Sequence, residues 1–307
     1  MRKESSTALA QTAVAAVLWG TSFPVINLGL RAGLDPTAFA FLRFALAAAI
    51  MLTACRAFRK KVGGLLRSKA VWVIAFFNAV GFVCQFVGQA HTSASVAALL
   101  VNLSVVFAAV GGAVFLKEKI GSAKAVGVLS AVVGTVLLTT KGDLAAVTGG
   151  QLFGDGLYLV AALSWAGYIV YAKKKTDETA WDPVALSAAI VAATAVFILP
   201  VAIFANWGTV DSVAALEAVG YTAVFNTAIA FALYQSGLRY LTASSSAVVL
   251  MLEIVTAVAI SATFLGEELN LFSWAGAALV LASIVVVSGR EFGRKAPTVS
   301  EGGESAL

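Results

Sequence analysis

Charge is what this sequence of 307 residues has least of. Asp, Glu, Lys and Arg make up 12% of it, where soluble domains carry about 25%. With 60% hydrophobic residues, too little polar surface remains to cover a globule, and intrinsic disorder is excluded for the same reason. Cysteine is equally scarce. Cys55 and Cys84 both fall in apolar stretches with no C-x-x-C pair, which removes disulfide scaffolds and thiolate zinc sites. The single histidine, His91, cannot build a metal site alone, so no metal and no cofactor is expected. There is no G-x-x-x-x-G-K-[ST] loop and hence no evident ATPase motor; any work must draw on gradients. Nor is a nucleic-acid partner implied by the net charge of +5, because the placement of the basic residues has another cause.

The apolar residues come in blocks of about 17 to 24, enough for a helix to cross ~30 Å of hydrocarbon. Ten such blocks lie at about 9–30, 37–57, 70–90, 93–115, 122–140, 152–172, 184–205, 213–236, 243–265 and 271–288. The first is not a cleavable signal, since it follows a polar leader and contains Gly20, Pro24 and Asn27. With the N-terminus in the cytoplasm, eighteen of the 21 basic residues fall on the inner side. Only Arg31 and Lys141 lie outside, and Arg43 lies within a span. That asymmetry is the positive-inside signature. It predicts a multi-pass protein of a bacterial-type inner membrane, with both termini cytoplasmic and the 143–155 and 267–271 loops outside.

The chain repeats itself. Ser93-Ala94-Ser95 matches Thr242-Ala243-Ser244 at an offset of 149, and Phe115-Leu116-Lys117-Glu118 matches Phe264-Leu265-Gly266-Glu267 in the same register. Phe82 meets Phe231, and at a slightly smaller offset Trp19 meets Trp165 and Asp35-Pro36 meets Asp182-Pro183. Each unit has five spans, an odd number, so the second enters the membrane from the opposite side. That is the inverted-repeat design of secondary transporters. The expected organisation is a leader over 1–8, a first repeat over 9–141, an external linker over 142–151, a second repeat over 152–288 and a disordered cytoplasmic tail over 289–307.

Leu18-Trp19-Gly20-Thr21-Ser22-Phe23-Pro24, Leu42-Arg43-Phe44 and the paired ends Phe-Leu-Lys-Glu and Phe-Leu-Gly-Glu resemble the EamA family of the drug/metabolite transporter superfamily, over nearly the whole chain. The resemblance implies an all-α membrane protein of ten transmembrane helices, two inverted five-helix repeats around a central cavity, walled by spans 1, 3, 4, 6, 8 and 9. It implies export of amino acids and other small metabolites. The family often has a Glu-Pro pair in spans 4 and 9. Here Ile254 follows Glu253, and the first repeat has Ser104-Val105, so the resemblance carries no proline kink to either span.

Two charges lie inside spans. An ionised Glu253 in mid-membrane costs ~2.5–3.5 kcal/mol even on insertion scales, so it either binds a substrate ammonium or a proton, or stitches helices as a hydrogen-bonded acid. Arg43 either snorkels to the outer surface on its long stem or serves as the anion partner of a substrate. Asn78, Gln85 and Gln89 share a face of span 3, as do Ser246 and Glu253 in span 9. Asn102 in span 4 and Asn226 with Tyr234 in span 8 add further polar groups. Trp19, Trp165 and Tyr168 are candidate cavity walls, against the alternative of interfacial belts. Pro24 and Gly167 are candidate hinges. Gly111-Gly112, Gly127 and Gly134 read as small-residue packing seams, and Glu118 as a solvated or salt-bridged group at the inner edge.

The expected function is a secondary transporter exporting small amphipathic metabolites, amino acids foremost, by alternating access. Its partners are a small-molecule substrate, the lipid bilayer and, as candidate coupling ion, the proton. A flippase for lipids or their headgroups is the alternative. An integral-membrane enzyme is disfavoured because it would need clustered His, Asp or Glu.

Overall fold

The computed structural model describes residues 2–89, 91–92, 94–143, 145, 152–208, 210, 212–264 and 268–291. The first five spans are α1 (Arg2–Arg31), α2 (Pro36–Ala57), α4 (Lys69–Gln89), α5 (Ala94–Phe115) and α6 (Ser122–Thr140), with a short α3 (Gly63–Arg67) before α4. The next five are α7 (Leu152–Glu178), α8 (Pro183–Ala202), a composite of α9 (Val213–Tyr221), a π-helical segment (Thr222–Ile229) and α10 (Ala230–Leu238), a broken span of α11 (Ala243–Leu250) and α12 (Leu252–Phe264), and α13 (Leu271–Glu291). Among the described residues nine helices are long and apolar enough to cross a membrane, and the described apolar part of α5, Leu99–Phe115, is a shorter one. From Arg2 on, the expected leader is helical and continuous with α1, and α13 runs to Glu291. Most of the expected 142–151 linker and residues 292–307 lie outside the described residues.

The two Asp-Pro pairs start equivalent helices on opposite faces. Proline is preorganised for the first helical turn, and the preceding aspartate accepts from the orphan amides. Asp35 Oδ1 accepts from the amides of Thr37 and Ala38 at 2.8 and 3.2 Å, and Asp182 Oδ1 from those of Val184 and Ala185 at 3.0 and 2.9 Å. Burial works against both ionised carboxylates, but the hydrogen bonds from Thr37 and Lys60 and from these amides outweigh it and hold both below the usual carboxylate range.

Helix pairings come in couples that the repeat exchanges. α4 and α5 both pack on α7, and their counterparts α10 and α12 both pack on α1. The helices that pair with their own counterparts, α2 with α8 and α6 with α13, lie across the pseudo-twofold axis. This is the expected all-α architecture of two inverted five-helix repeats.

The α6–α13 seam is held by glycine, as the spacing of Gly127 and Gly134 anticipated. A Cβ on Gly276 would lie 2.5 Å from the carbonyl oxygen of Gly134 and 2.6 Å from the amide nitrogen of Leu138. Both obstacles are backbone and cannot rotate away. Gly276→Val is therefore expected to cost about 1–3 kcal/mol or more through overpacking, read as a lower thermal-unfolding midpoint in detergent. Among the described residues a Cβ on Gly63 would meet nothing within 4 Å, and Gly63→Ala should leave that midpoint unchanged.

Two readings of span ends need correction. Glu118 is not solvated. It is 8% exposed, and it caps α11, accepting from the amides of Ala243 and Ser244 at 2.6 and 3.3 Å and from the Ser244 hydroxyl. The carboxylate thus sits at the positive end of a helix from the other repeat. Span 9 is broken although it lacks proline. α11 ends at Met251, whose amide bonds back to Val248 O at 3.1 Å, and α12 restarts at Leu252. α5, its counterpart, runs on without interruption.

Candidate functional site

Trp19, Ser22 and Phe23 of α1, at an offset of 146, correspond to Trp165, Tyr168 and Ile169 of α7, and all six line one cavity between the repeats. Phe82 and Gln85 of α4 line it, and so do their counterparts Phe231 and Tyr234 of α10. Val101, Asn102, Ser104 and Val105 of α5 face Leu250, Met251, Glu253 and Ile254 across the same space, the same four positions 149 residues apart. The cavity holds about 930 Å³ of empty space, including the part open to its surroundings.

Its aromatic wall follows the repeat as well. Phe82 meets Trp165 edge-on at 5.6 Å and 80°, and Phe231 meets Trp19 at 5.3 Å and 79°. Phe82 and Phe231 themselves meet at 6.4 Å, on the pseudo-twofold axis. Tyr168 and Tyr234 stack at 6.1 Å. Such edge-to-face pairs give a rigid apolar surface. The phenylalanines were not among the candidate residues of the sequence. Their equivalence, Phe82 with Phe231, was the signal that could have found them.

Charge breaks this symmetry. Glu253 occupies the position of Ser104, in the first turn of α12, where the helix dipole favours a carboxylate. Its main chain lies against α1, for a Cβ on Gly20 would come 2.5 Å from Glu253 O. Arg43 is 1% exposed, so it does not snorkel to the outer surface. Its Nε donates to Thr227 Oγ1 at 2.7 Å and its Nη2 to Asn226 O at 3.2 Å, with Cζ 5.0 Å from the Phe82 ring centroid. Arg43 and Glu253 are each other's charged neighbours. Among the described residues they nevertheless form no ion pair with each other, and the Glu253 carboxylate accepts no hydrogen bond. Two opposite charges thus border one cavity with their interactions incomplete.

The other candidate residues divide. Asn78 lines the cavity and donates Nδ2 to Thr194 Oγ1 at 3.1 Å, and Gln85, Asn102, Trp165 and Tyr168 line it too. Asn226 and Ser246 do not. Asn226 is buried behind Trp19, with Nδ2 donating to Leu18 O and to Thr21 Oγ1 and its own carbonyl accepting Trp19 Nε1 at 2.7 Å. Ser246 is buried behind Tyr234, 3.4 Å from its hydroxyl. Pro24 lies inside an unbroken α1 and Gly167 inside an unbroken α7, with the Phe77 ring against Gly167, and neither borders the cavity. The two equivalent tryptophans also differ. Trp19 spends its N–H on Asn226, while among the described residues Trp165 Nε1 has no acceptor. No cluster of three metal-ligating residues occurs among the described residues.

The model of the EamA-like transporter family matches residues 7–140 and 152–289. An uncharacterized transporter of Archaeoglobus fulgidus is 28% identical over 287 residues, covering 91% of this chain and 96% of its own. A probable terminal-alkyne amino-acid exporter of Streptantibioticus cattleyicolor is 25% identical over 287 residues, covering 91% and 92%. One crystal structure shares the fold with a TM-score of 0.77 at 18% identity, covering 93% of this chain and 98% of that one. With both repeats matched, the chain belongs to the EamA-like transporter family.

Proposed function

We propose that this chain carries zwitterionic small molecules, amino acids foremost, out of the cell by alternating access of its two repeats. The single observation that carries the reading is the pair of charges on the cavity wall. Arg43 and Glu253 are opposite in sign, border the same space, and among the described residues form no ion pair. Leaving either charge without a partner in a low-dielectric interior is costly. A ligand bearing both a carboxylate and an ammonium supplies both partners at once, and the aromatic wall accommodates an apolar side chain. When the cavity is empty, the proton is the candidate partner of Glu253. The direction and the amino-acid class are supported by the similar exporter of Streptantibioticus cattleyicolor. The reading places the protein in the inner membrane with both termini cytoplasmic.

A ligand series tests the charge assignment. A neutral amino acid, its carboxamide and its deaminated acid are compared for protection of the purified protein against thermal unfolding. The zwitterion is expected to protect and each single-charge analogue to protect far less. Equal protection by all three would remove the zwitterion reading. The cavity itself is tested by Asn102→Trp, which fills the space from α5. Transport should be obstructed while the yield of folded protein is unchanged. Normal transport at normal yield would put Asn102 on a packing face.

A further inference from the structure

A buried arginine needs something to aim it, and the repeat shows what does. Asn78 of α4 reaches Thr194 of α8 at 3.1 Å, and the residue 149 positions later, Thr227, reaches Arg43 of α2 at 2.7 Å. The same place on each repeat therefore contacts the same neighbouring span. The difference is backbone. α4 is α-helical throughout, whereas Thr227 lies in the π-helical segment Thr222–Ile229. Thr227 Oγ1 donates to Thr222 O, five residues back, at 3.0 Å. A hydroxyl has one proton. Once it is spent on Thr222, only lone pairs face Arg43, so Thr227 acts there purely as an acceptor for Nε–H. The adjacent carbonyl, Asn226 O, accepts Nη2 of the same guanidinium and Nε1 of Trp19. Two consecutive residues hold one edge of the planar fork, and Nη1, which has no hydrogen bond among the described residues, is left for a ligand in the cavity that Arg43 borders. Wide π turns recur at functional sites.

We propose that the π-helical segment of span 8 is the positioning element of the substrate site: Thr227 and the Asn226 carbonyl aim Arg43 at the substrate carboxylate and so set the preference for a free carboxylate over an amide. The proposal rests on the amino-acid reading above for its ligand, but not for the placement of Arg43.

The full-length protein is compared with Thr227→Val, Thr227→Ala and Thr227→Ser. The first readout involves no substrate. Phenylglyoxal, an arginine-selective dicarbonyl, is applied to the protein in detergent, and modification of the Arg43 peptide is followed by mass spectrometry. The second is the ratio of affinities for a neutral amino acid and its carboxamide. Losing the acceptor should speed modification of Arg43 several-fold in the Val and Ala variants. It should also lower the amino-acid preference about tenfold, the scale of one charge-assisted hydrogen bond, with amide binding unchanged. Thr227→Ser keeps the oxygen and should restore both. Arg43 modification at the parent rate in the folded Val or Ala variant would overturn the proposal, as would failure of Thr227→Ser to restore it. Faster modification of Arg43 in the Val and Ala variants, together with a parent protein that shows no preference between acid and amide, would sink the amino-acid reading and leave the positioning role intact.

Discussion

Glu253→Gln is expected to fold and insert as the parent protein does, and to lose transport. The carboxylate accepts no hydrogen bond among the described residues, so no packing contact depends on its charge. Glutamine has the same shape and stays neutral. What disappears is the proposed counter-charge for a substrate ammonium and the candidate group for proton exchange. Truncating one member of a buried charge pair costs about 2–5 kcal/mol, which at 1.4 kcal/mol per tenfold is a fall in affinity of about 30-fold or more. Any dependence of uptake on a pH gradient should vanish with it. Binding measured on purified protein, beside uptake in liposomes, reads both effects. Unchanged rate, affinity and pH dependence would leave Glu253 a structural residue.

Gly20→Val should damage fold and site together. The missing side chain of Gly20 is what lets α1 lie on the carbonyl of Glu253 and on Thr256, whose Cβ would be 2.6 Å from a Cβ at residue 20. A carbonyl of the helix backbone cannot swing aside, so valine must push α1 off α12. That shift moves Trp19, one residue away, and Glu253 at once. Overpacking of this kind costs about 1–3 kcal/mol. The folded yield should drop, and the fraction that folds should transport poorly for its amount. Size-exclusion profiles normalised against uptake separate the two effects. A folded Gly20→Val protein with parental uptake would show that the α1–α12 contact does not set the site.

Much of the fold was legible because its causes are local or repetitive. Block length relates directly to bilayer thickness, and the offsets of the Trp19 and Phe82 motifs already contained the exchange of neighbours seen in the helix pairings. The cavity residues were legible where the repeat marked them, as with Trp19 and Trp165. Polar character alone misled. Asn226 is as polar as Asn102, but it turns from the cavity to bind Leu18 and Thr21. A polar stripe cannot distinguish a wet cavity from a neighbouring helix backbone. Nor could composition reveal the π turn around Thr227 or the break at Met251. Both meet partners distant in sequence, the π turn Arg43 and Trp19, and the residues just after the break α1. Glu118 looked solvated because Lys117 and Lys119 flank it, and its partner at the start of α11 lies 125 residues on.

Counterflow in proteoliposomes tests the carrier mechanism most directly. Vesicles containing the parent protein are preloaded with an unlabelled neutral amino acid and diluted into a trace of the labelled one. The expected result is a transient accumulation of label above its equilibrium level, present with the parent protein and lost with Glu253→Gln. Label that equilibrates without overshoot, at a rate indifferent to the preload, would contradict alternating access at a binding cavity.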